Sequence, residues 1–360
     1  MGGVPPVSRM CRPRKRAGIF FARRYKPATG NFLSLRAAQG MFHRTLVCLF
    51  AAYAIAILAS FLAAAGWPVD LLAHFQTQYV LAGLLFAAGF VFRRNWNMAA
   101  LAICLSVVAL MRMGIFDNGR FAPTANAAEP AISVVTANLF GSAAALGNLV
   151  EENSARGFDL MILTELPVPA DQGLLDRFEG MLHVAGTPGQ ALGGRPAAVI
   201  LSRTAPHSVE LIPVGGNPYA ITKAIYCSVQ AEPCVSVLAV HTLPPFRRDF
   251  YLHQADILQK LASEVSRTPG PVLVAGDMNA ASWAPLLKRF QETAGVRKAT
   301  CGSRWTPTWL APVPGIGLEL DHFFVRSGLA VKNCELGHFN GSDHWPVFAE
   351  FTVVDGKSSD

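Results

Sequence analysis

Charge is scarce in this 360-residue chain: 15% of its residues are charged, while 51% are hydrophobic. An ordinary soluble domain carries roughly 25% charged residues, so a single domain of that kind is excluded. Acidic residues are nearly missing from the first third, where only Asp70 and Asp117 stand against fourteen basic residues up to Arg120. The rest holds 17 basic and 22 acidic residues. The formal net charge of +7 therefore joins two unlike parts and excludes a uniformly basic nucleic-acid binder. No GxGxxG or GxxxxGKS/T loop is present, which argues against Rossmann and P-loop nucleotide domains. Internal repeats are also missing, and the apolar content rules out disorder. The chain beyond residue 120 is long enough to bury a full α/β core.

Residues 1–43 form a basic tail with Arg9, Arg12, Arg14, Lys15, Arg16, Arg23, Arg24, Lys26 and Arg36 and no hydrophobic periodicity. It reads as a cytoplasmic flank, and Met41 before an apolar run offers a second start. Residues 44–117 predict three transmembrane helices. Thr45–Gly66 is uncharged over 22 residues, which at 1.5 Å per residue reaches about 33 Å. Leu71–Phe92 repeats that length, and Trp96–Phe116 is a third span with Arg112 placed to snorkel from one end. Buried core helices are the alternative, disfavoured by three in succession. The Arg93-Arg94 turn is basic and the first turn is not, so the positive-inside rule puts the N-terminus in the cytoplasm and everything after residue 117 outside it. Residues 118–130 predict a flexible linker, 131–353 the soluble domain and 354–360 a tail. Four cysteines, Cys227, Cys234, Cys301 and Cys334, fall in the exported part. A Cys227–Cys234 bridge across a hairpin is one reading, and four reduced core thiols the other.

Within the soluble part, Ile132–Ala137, Leu160–Leu163, Ala197–Leu201, Val235–Val240 and Val272–Ala275 read as buried strands. Arg247–Arg267 has helical apolar spacing, and Trp283–Ala294 predicts a shorter helix. The polar residues sit where apolar runs end: Asn138, Glu165, His241, then Asp277 and Asn279. Each alone suits a turn or cap; the series places chemistry along one sheet edge. If the strand continues, Asp277 and Asn279 project to one face, and Gly276 lets a ligand approach the backbone. Leu320-Asp321-His322 and Gly341-Ser342-Asp343-His344 complete the set, with Asp343 or His344 on a loop.

This ordered series resembles the endonuclease/exonuclease/phosphatase superfamily over residues 131–353. GDMN and SDHWP are its most specific parts, and TANLF, LTELP and AVHTLPP support them. The resemblance implies an α/β fold, a four-layer sandwich of two packed mixed β-sheets flanked by helices. It also implies a metal site of Glu165 with Asn138 and Asp343, for Mg²⁺ or else Mn²⁺, since hard oxygen donors suit these ions. His344, held by Asp321, is implied as general base or phosphate-charge stabiliser. Asp277 would orient or deprotonate water, Asn279 would hold a phosphoryl oxygen, and His241 would assist the leaving oxygen. His322, Ser342 and Trp345 are structural neighbours, and His183, His207, His253 and His338 lie on the surface.

The apolar spans and the Pro-Pro-Phe-Arg-Arg run resemble a bacterial membrane-anchored branch that includes teicoplanin-resistance proteins. That implies an inner-membrane, multi-pass protein with its catalytic domain facing the periplasm or exterior. The expected partner is the membrane, and the expected substrate a lipid-linked or small phosphoester, with Arg247 and Arg248 meeting the headgroup. A Mg²⁺-dependent nuclease is the alternative, disfavoured because the exported part carries more acidic than basic residues and no basic stripe. A non-catalytic scaffold is the third reading, disfavoured because every expected site residue is present.

Overall fold

An apolar stretch with few charges favours a helix that needs no polar partner, and the first helix, α1 (Gly30–Ser60), follows from one. Its segment Gly40–Ser60, 21 residues, is long and apolar enough to cross a membrane. The computed structural model describes residues 30–126, 130–168, 172–186, 198–216, 219–227, 234–313, 315–326 and 328–354, with side chains from residue 40 onward. Most of the basic tail and the last six residues therefore lie outside the described residues.

The second predicted span is broken. A single turn, α2 (Leu71–His74), ends at Phe75, and α3 (Gln76–Phe92) starts afresh. The break lies where Asp70 and His74, one helical turn apart, pair at 3.2 Å and are both buried. The third predicted span is shortened to α4 (Trp96–Arg112). Arg112 does not snorkel: its Nη2 donates to the Ser60 carbonyl at 2.9 Å. At 17 residues each, α3 and α4 reach about 25 Å, the short end of what a span needs. Among the described residues one helix, not three, thus meets the length and composition of a span.

The predicted flexible linker is tied down. Phe121 bridges to Lys298 and Thr124 to Val331, with Ala122 N–H donating to the Lys298 carbonyl at 2.7 Å. Residues 127–129 lie outside the described set.

The sandwich then runs β1 (Ile132–Asn138), α5 (Ala143–Arg156), β2 (Leu160–Thr164), α6 (Gln172–Leu175), β3 (His183–Ala185), β4 (Val199–Ser202), β5 (Ser208–Ile212), β6 (Ile221–Tyr226) and β7 (Val235–His241). It continues with α7 (Arg248–Arg267), β8 (Val272–Asp277), α8 (Pro285–Ala294), β9 (Arg297–Lys298), β10 (Asp321–Val325), β11 (Leu329–Leu336) and β12 (Val347–Val353). Two mixed six-stranded sheets result, ordered β11-β12-β1-β2-β4-β3 and β5-β6-β7-β8-β10-β9. The central strands β2, β4, β7 and β8 read as apolar runs because both their faces are covered. In β8, Leu273 and Ala275 face the other sheet, while Val272 and Val274 face α7 and α8. In β1, Val134 faces the other sheet and Val135 packs with Leu146 and Leu149 of α5.

Both cysteine pairs are disulfides: Cys227–Cys234, and Cys301–Cys334, which ties β11 to the segment after β9. The turn between Cys227 and Cys234 lies outside the described residues. Of the four histidines expected on the surface, His207 and His338 are exposed, and His183 and His253 are half-buried.

Candidate active site

Strand register assembles the site. β7 and β8 are parallel with His241 opposite Asp277, and β10 runs antiparallel with Asp321 opposite the same Asp277. In the other sheet β1 and β2 are parallel with Asn138 opposite Thr164, so Glu165 follows at the same edge. The end of one strand and the start of an antiparallel neighbour thus bring residues distant in sequence together.

Asp277 is fully buried and accepts from Asn138 Nδ2 at 2.8 Å, the Asn279 backbone N–H at 2.8 Å and Asn279 Nδ2 at 3.1 Å. The strand does not continue to Asn279: it stops at Asp277, and Asn279 adopts φ +45° in a turn that the Asp277 carboxylate closes. Both amide hydrogens of Asn279 are committed, the second to the Thr242 carbonyl at 2.8 Å, so Asn279 positions Asp277 in this arrangement. From α7, Gln254 Nε2 holds the same turn through the Met278 and Asn279 carbonyls, each at 3.0 Å. Gly276 serves the neighbouring strand and not a ligand: a Cβ there would meet the Val240 carbonyl at 2.0 Å.

Glu165 and Phe140 also hold positive φ, both +50°. Such backbones cost about 1–3 kcal/mol each and persist where surrounding structure fixes them. Asn138 Nδ2 donates to Glu165 Oε1 at 3.2 Å, and its own oxygen accepts the Phe140 N–H at 2.9 Å. Asn138 is therefore a bridge between Glu165 and Asp277. His241 Nε2 lies 3.6 Å from Glu165 and 3.8 Å from Asp277.

Asp321 Oδ2 and His344 Nδ1 are 2.7 Å apart and buried. Thr308 Oγ1 accepts the Leu320 and Asp321 N–H groups, each at 3.0 Å, fixing the start of β10. Ser342 Oγ donates to the Asn138 carbonyl at 2.7 Å and accepts the His344 N–H at 3.1 Å, as its expected structural role requires. His322 also stays structural, its Nε2 at 2.8 Å from the Ala280 carbonyl. Asp343 lies on a loop beside His344 and accepts from Trp309 Nε1 at 3.2 Å.

Burial, together with the neighbouring Asp321 charge, pushes Asp277 up to about 7. Burial would lower His344, but the Asp321 and Asp277 charges outweigh it and push the imidazole up to about 10. Burial would raise Asp321, but the charge and hydrogen bond of His344 hold it below the usual carboxylate range. These shifts favour imidazolium and carboxylate for the pair at neutral pH, an arrangement that puts positive charge beside Asp277.

Among the described residues, two groups bring three ligand atoms within 4.8 Å of one another: Glu165 with His241 and Asp277, and Asp277 with Asp321 and His344. The first fits a divalent ion better, because in the second His344 is the charge partner of Asp321. Asp343 belongs to neither group.

Glu165, Asp277 and His344 line a cleft of about 300 Å³ with Asn279, Asp343, Pro244, Pro245, Phe246 and Trp309, while His241 and Asp321 lie behind that lining. Arg247 and Arg248 do not line it. Arg247 is turned onto Asp249, with Nη2 at 2.7 Å from the carboxylate, and Arg248 is exposed. The sequence reading missed three contributors from the helical region, Leu71, His74 and Phe75. Asp70 and His74, spaced i,i+4 in a stretch otherwise free of charge, were the available signal.

A cleft that sets Glu165, Asp277 and Asp343 beside His344 at the edge of a two-sheet sandwich is that of a hydrolase of phosphate esters or phosphodiesters. The sequence model of the Endonuclease/Exonuclease/phosphatase family matches residues 135–344, more than half of the chain, and the protein belongs to this family. The structure is similar to that of an endonuclease/exonuclease/phosphatase from Beutenbergia cavernae, with TM-score 0.53 and 17% identity over 64% of this chain and 73% of that one. A second, from Bacteroides vulgatus, gives TM-score 0.52 and 13% identity over 63% of this chain and 100% of that one. At these identities the likeness shows the fold. A UPF0294 protein of Vibrio campbellii is 33% identical over 109 residues, 29% of this chain and 35% of the relative. The match thus spans about a third of that relative's length.

Proposed function

We propose that the protein is a membrane-anchored, extracytoplasmic phosphoesterase that hydrolyses a lipid-linked phosphate or pyrophosphate. One observation carries the reading: the catalytic cleft is pinned to one end of the helical region. Trp283 Nε1 donates to the Ala73 carbonyl at 3.0 Å, and the Ala281 N–H to His74 Nδ1 at 3.3 Å, both from the loop that follows Asn279. Gln78 in the first turn of α3 donates to the Ile316 carbonyl at 2.7 Å. An active site held this way stays beside any bilayer that α1 enters. The Arg93-Arg94 turn, at the far end of α3, would then face the cytoplasm. Two disulfides in the catalytic domain suit an oxidising compartment.

Glu165 would hold a divalent ion, Mg²⁺ or Mn²⁺, leaving Asp277 to the attacking water and His241 to the leaving oxygen. Bound there, the ion would neutralise phosphate charge. Asp277 accepts a proton from the attacking water, a task suited to a carboxylate whose value lies near 7. The His344 imidazolium offsets charge on the phosphoryl oxygens, and His241 stands by the leaving oxygen.

The test is phosphate release by the full chain in detergent with Mg²⁺, Mn²⁺ or EDTA. The panel comprises a lipid pyrophosphate, phospholipids, inositol phosphates and DNA. Metal-dependent release from a lipid-linked substrate is expected. Rapid DNA cleavage with no lipid phosphate released would replace this reading with a nuclease.

A further inference from the structure

We infer that Leu71 and Phe75, from the segment joining α1 to α3, are specificity-determining residues of the active site. They would receive the first apolar carbons bonded to the ester oxygen of the substrate. The inference rests on the phosphoesterase reading above and deepens it. Both side chains line the same cleft as Asp277, Asn279 and His344, with no intervening domain. Phe75 keeps 38% of its surface exposed, and two other aromatic rings of the cleft, Phe140 and Phe246, are 54% and 70% exposed. Large apolar side chains left open beside buried carboxylates are informative, since an apolar surface of this kind is normally covered.

The geometry sets what the covering group can be. The charged side chains of the cleft suit a phosphate, and Leu71, Phe75 and Phe246 line the same cleft as an apolar wall. A substrate with a polar glycerol or sugar unit directly after the phosphate would place hydroxyls against Leu71, Phe75 and Phe246 and leave them without partners. A phosphate ester whose oxygen carries a hydrocarbon chain places methylenes there instead. The wall is held in place independently of substrate. His74, between Leu71 and Phe75, is buried and uses both ring nitrogens, one on Asp70 and one on the Ala281 N–H. The helical region thus supplies a rigid part of the binding site and is more than an anchor.

The experiment measures kcat/KM for alkyl phosphates and alkyl pyrophosphates of two to ten carbons, using the full chain in detergent. Each methylene fully buried on the wall should raise kcat/KM about fourfold until the cleft is filled. The readout is the ratio of octyl to ethyl substrate. We expect Leu71→Ser and Phe75→Ser to lower that ratio at least about tenfold, and Phe75→Leu to restore most of it. A ratio unchanged in both serine variants, or a wild-type protein indifferent to chain length, overturns the inference while leaving the phosphoesterase reading intact. A wild-type protein that releases phosphate from neither these substrates nor a lipid pyrophosphate removes that reading, and this inference with it; release from the lipid pyrophosphate alone, with both serine variants as active on it as the wild type, overturns the inference by itself.

Discussion

Two buried Asp–His pairs, of different origin, each contribute their histidine to the lining of one cleft. Asp321 and His344 belong to the sandwich, Asp70 and His74 to the helical region. In the first pair Asp321 takes Nδ1, leaving the other imidazole edge to the cleft that His344 lines. In the second, Asp70 takes Nε2 and the Ala281 N–H takes Nδ1, so neither nitrogen is left for substrate. A nitrogen that accepts from a backbone N–H carries no proton, which fixes the His74 tautomer and makes it a clamp. Similar pairs therefore do different work: one keeps a charge ready, and the other locks the loop after Asn279 to the α1–α3 connection.

The largest expected effect falls on the first pair and its neighbours. His344→Ala and Asp277→Ala should each lower kcat/KM by about 10²- to 10⁴-fold, with melting temperature showing that the fold persists. Glu165→Ala should lose comparable activity and should also raise the metal concentration needed for half-maximal rate. Near-wild-type turnover in His344→Ala would erase the distinction between the two pairs.

The next effect is on pH. With Asp277 near 7 and His344 near 10 before an ion binds, and a bound cation lowering Asp277, kcat/KM should rise below about pH 7 as Asp277 loses its proton and fall through about pH 10 as His344 loses its own. The sign follows from the charges: His344 is raised, so it is protonated below about 10. Asp321→Asn removes the main charge that raises it, so the falling limb should move down toward the ordinary imidazole value of about 6.5. The rising limb should also move down, because Asp321 contributes to the elevation of Asp277. Limbs that stay in place would show that Asp321 does not control His344.

The contrast between the pairs also marks what could be read from sequence. Asn138, Glu165, His241 and Asp277 were legible because each ends an apolar run, and strand register turns that position into proximity. Asp321 and His344 were legible through their motifs, though their 2.7 Å contact depends on Thr308 and Ser342, which no periodicity singles out. The turn at Asn279 and the role of Gly276 were not legible, because both depend on a neighbouring chain segment. The helical region was misjudged for a related reason. Hydropathy reads Leu71–Phe92 as one span and is blind to the tertiary hydrogen bonds that break it at Phe75.

A smaller effect should come from the clamp. His74→Ala leaves the buried Asp70 without its partner, which should cost about 2–3 kcal/mol of stability. Loosening the loop after Asn279 should lower kcat/KM by about tenfold, since misplacement of reacting groups is costly even at small distances. Both limbs of the pH profile should stay where they are. A shift in either limb would mean that His74 exchanges protons with the substrate, and the two pairs would then be functionally alike.

The smallest effect is expected at Arg247 and Arg248, which the sequence placed on the substrate. Arg247 is 67% exposed and holds Asp249 through two hydrogen bonds, with its guanidinium 4.9 Å from the Phe250 ring. An exposed pair of this kind contributes little to stability. Neither arginine lines the cleft, whereas Phe246, immediately before them, does. The loop thus presents an aromatic ring to the site and turns its charges toward solvent. Replacing both arginines by alanine should change kcat/KM by less than about twofold on lipid-linked and soluble phosphates alike, as for most surface substitutions. A loss of tenfold or more confined to the lipid-linked substrate would place the two arginines on the headgroup and divide substrate recognition between the sandwich and the helical region.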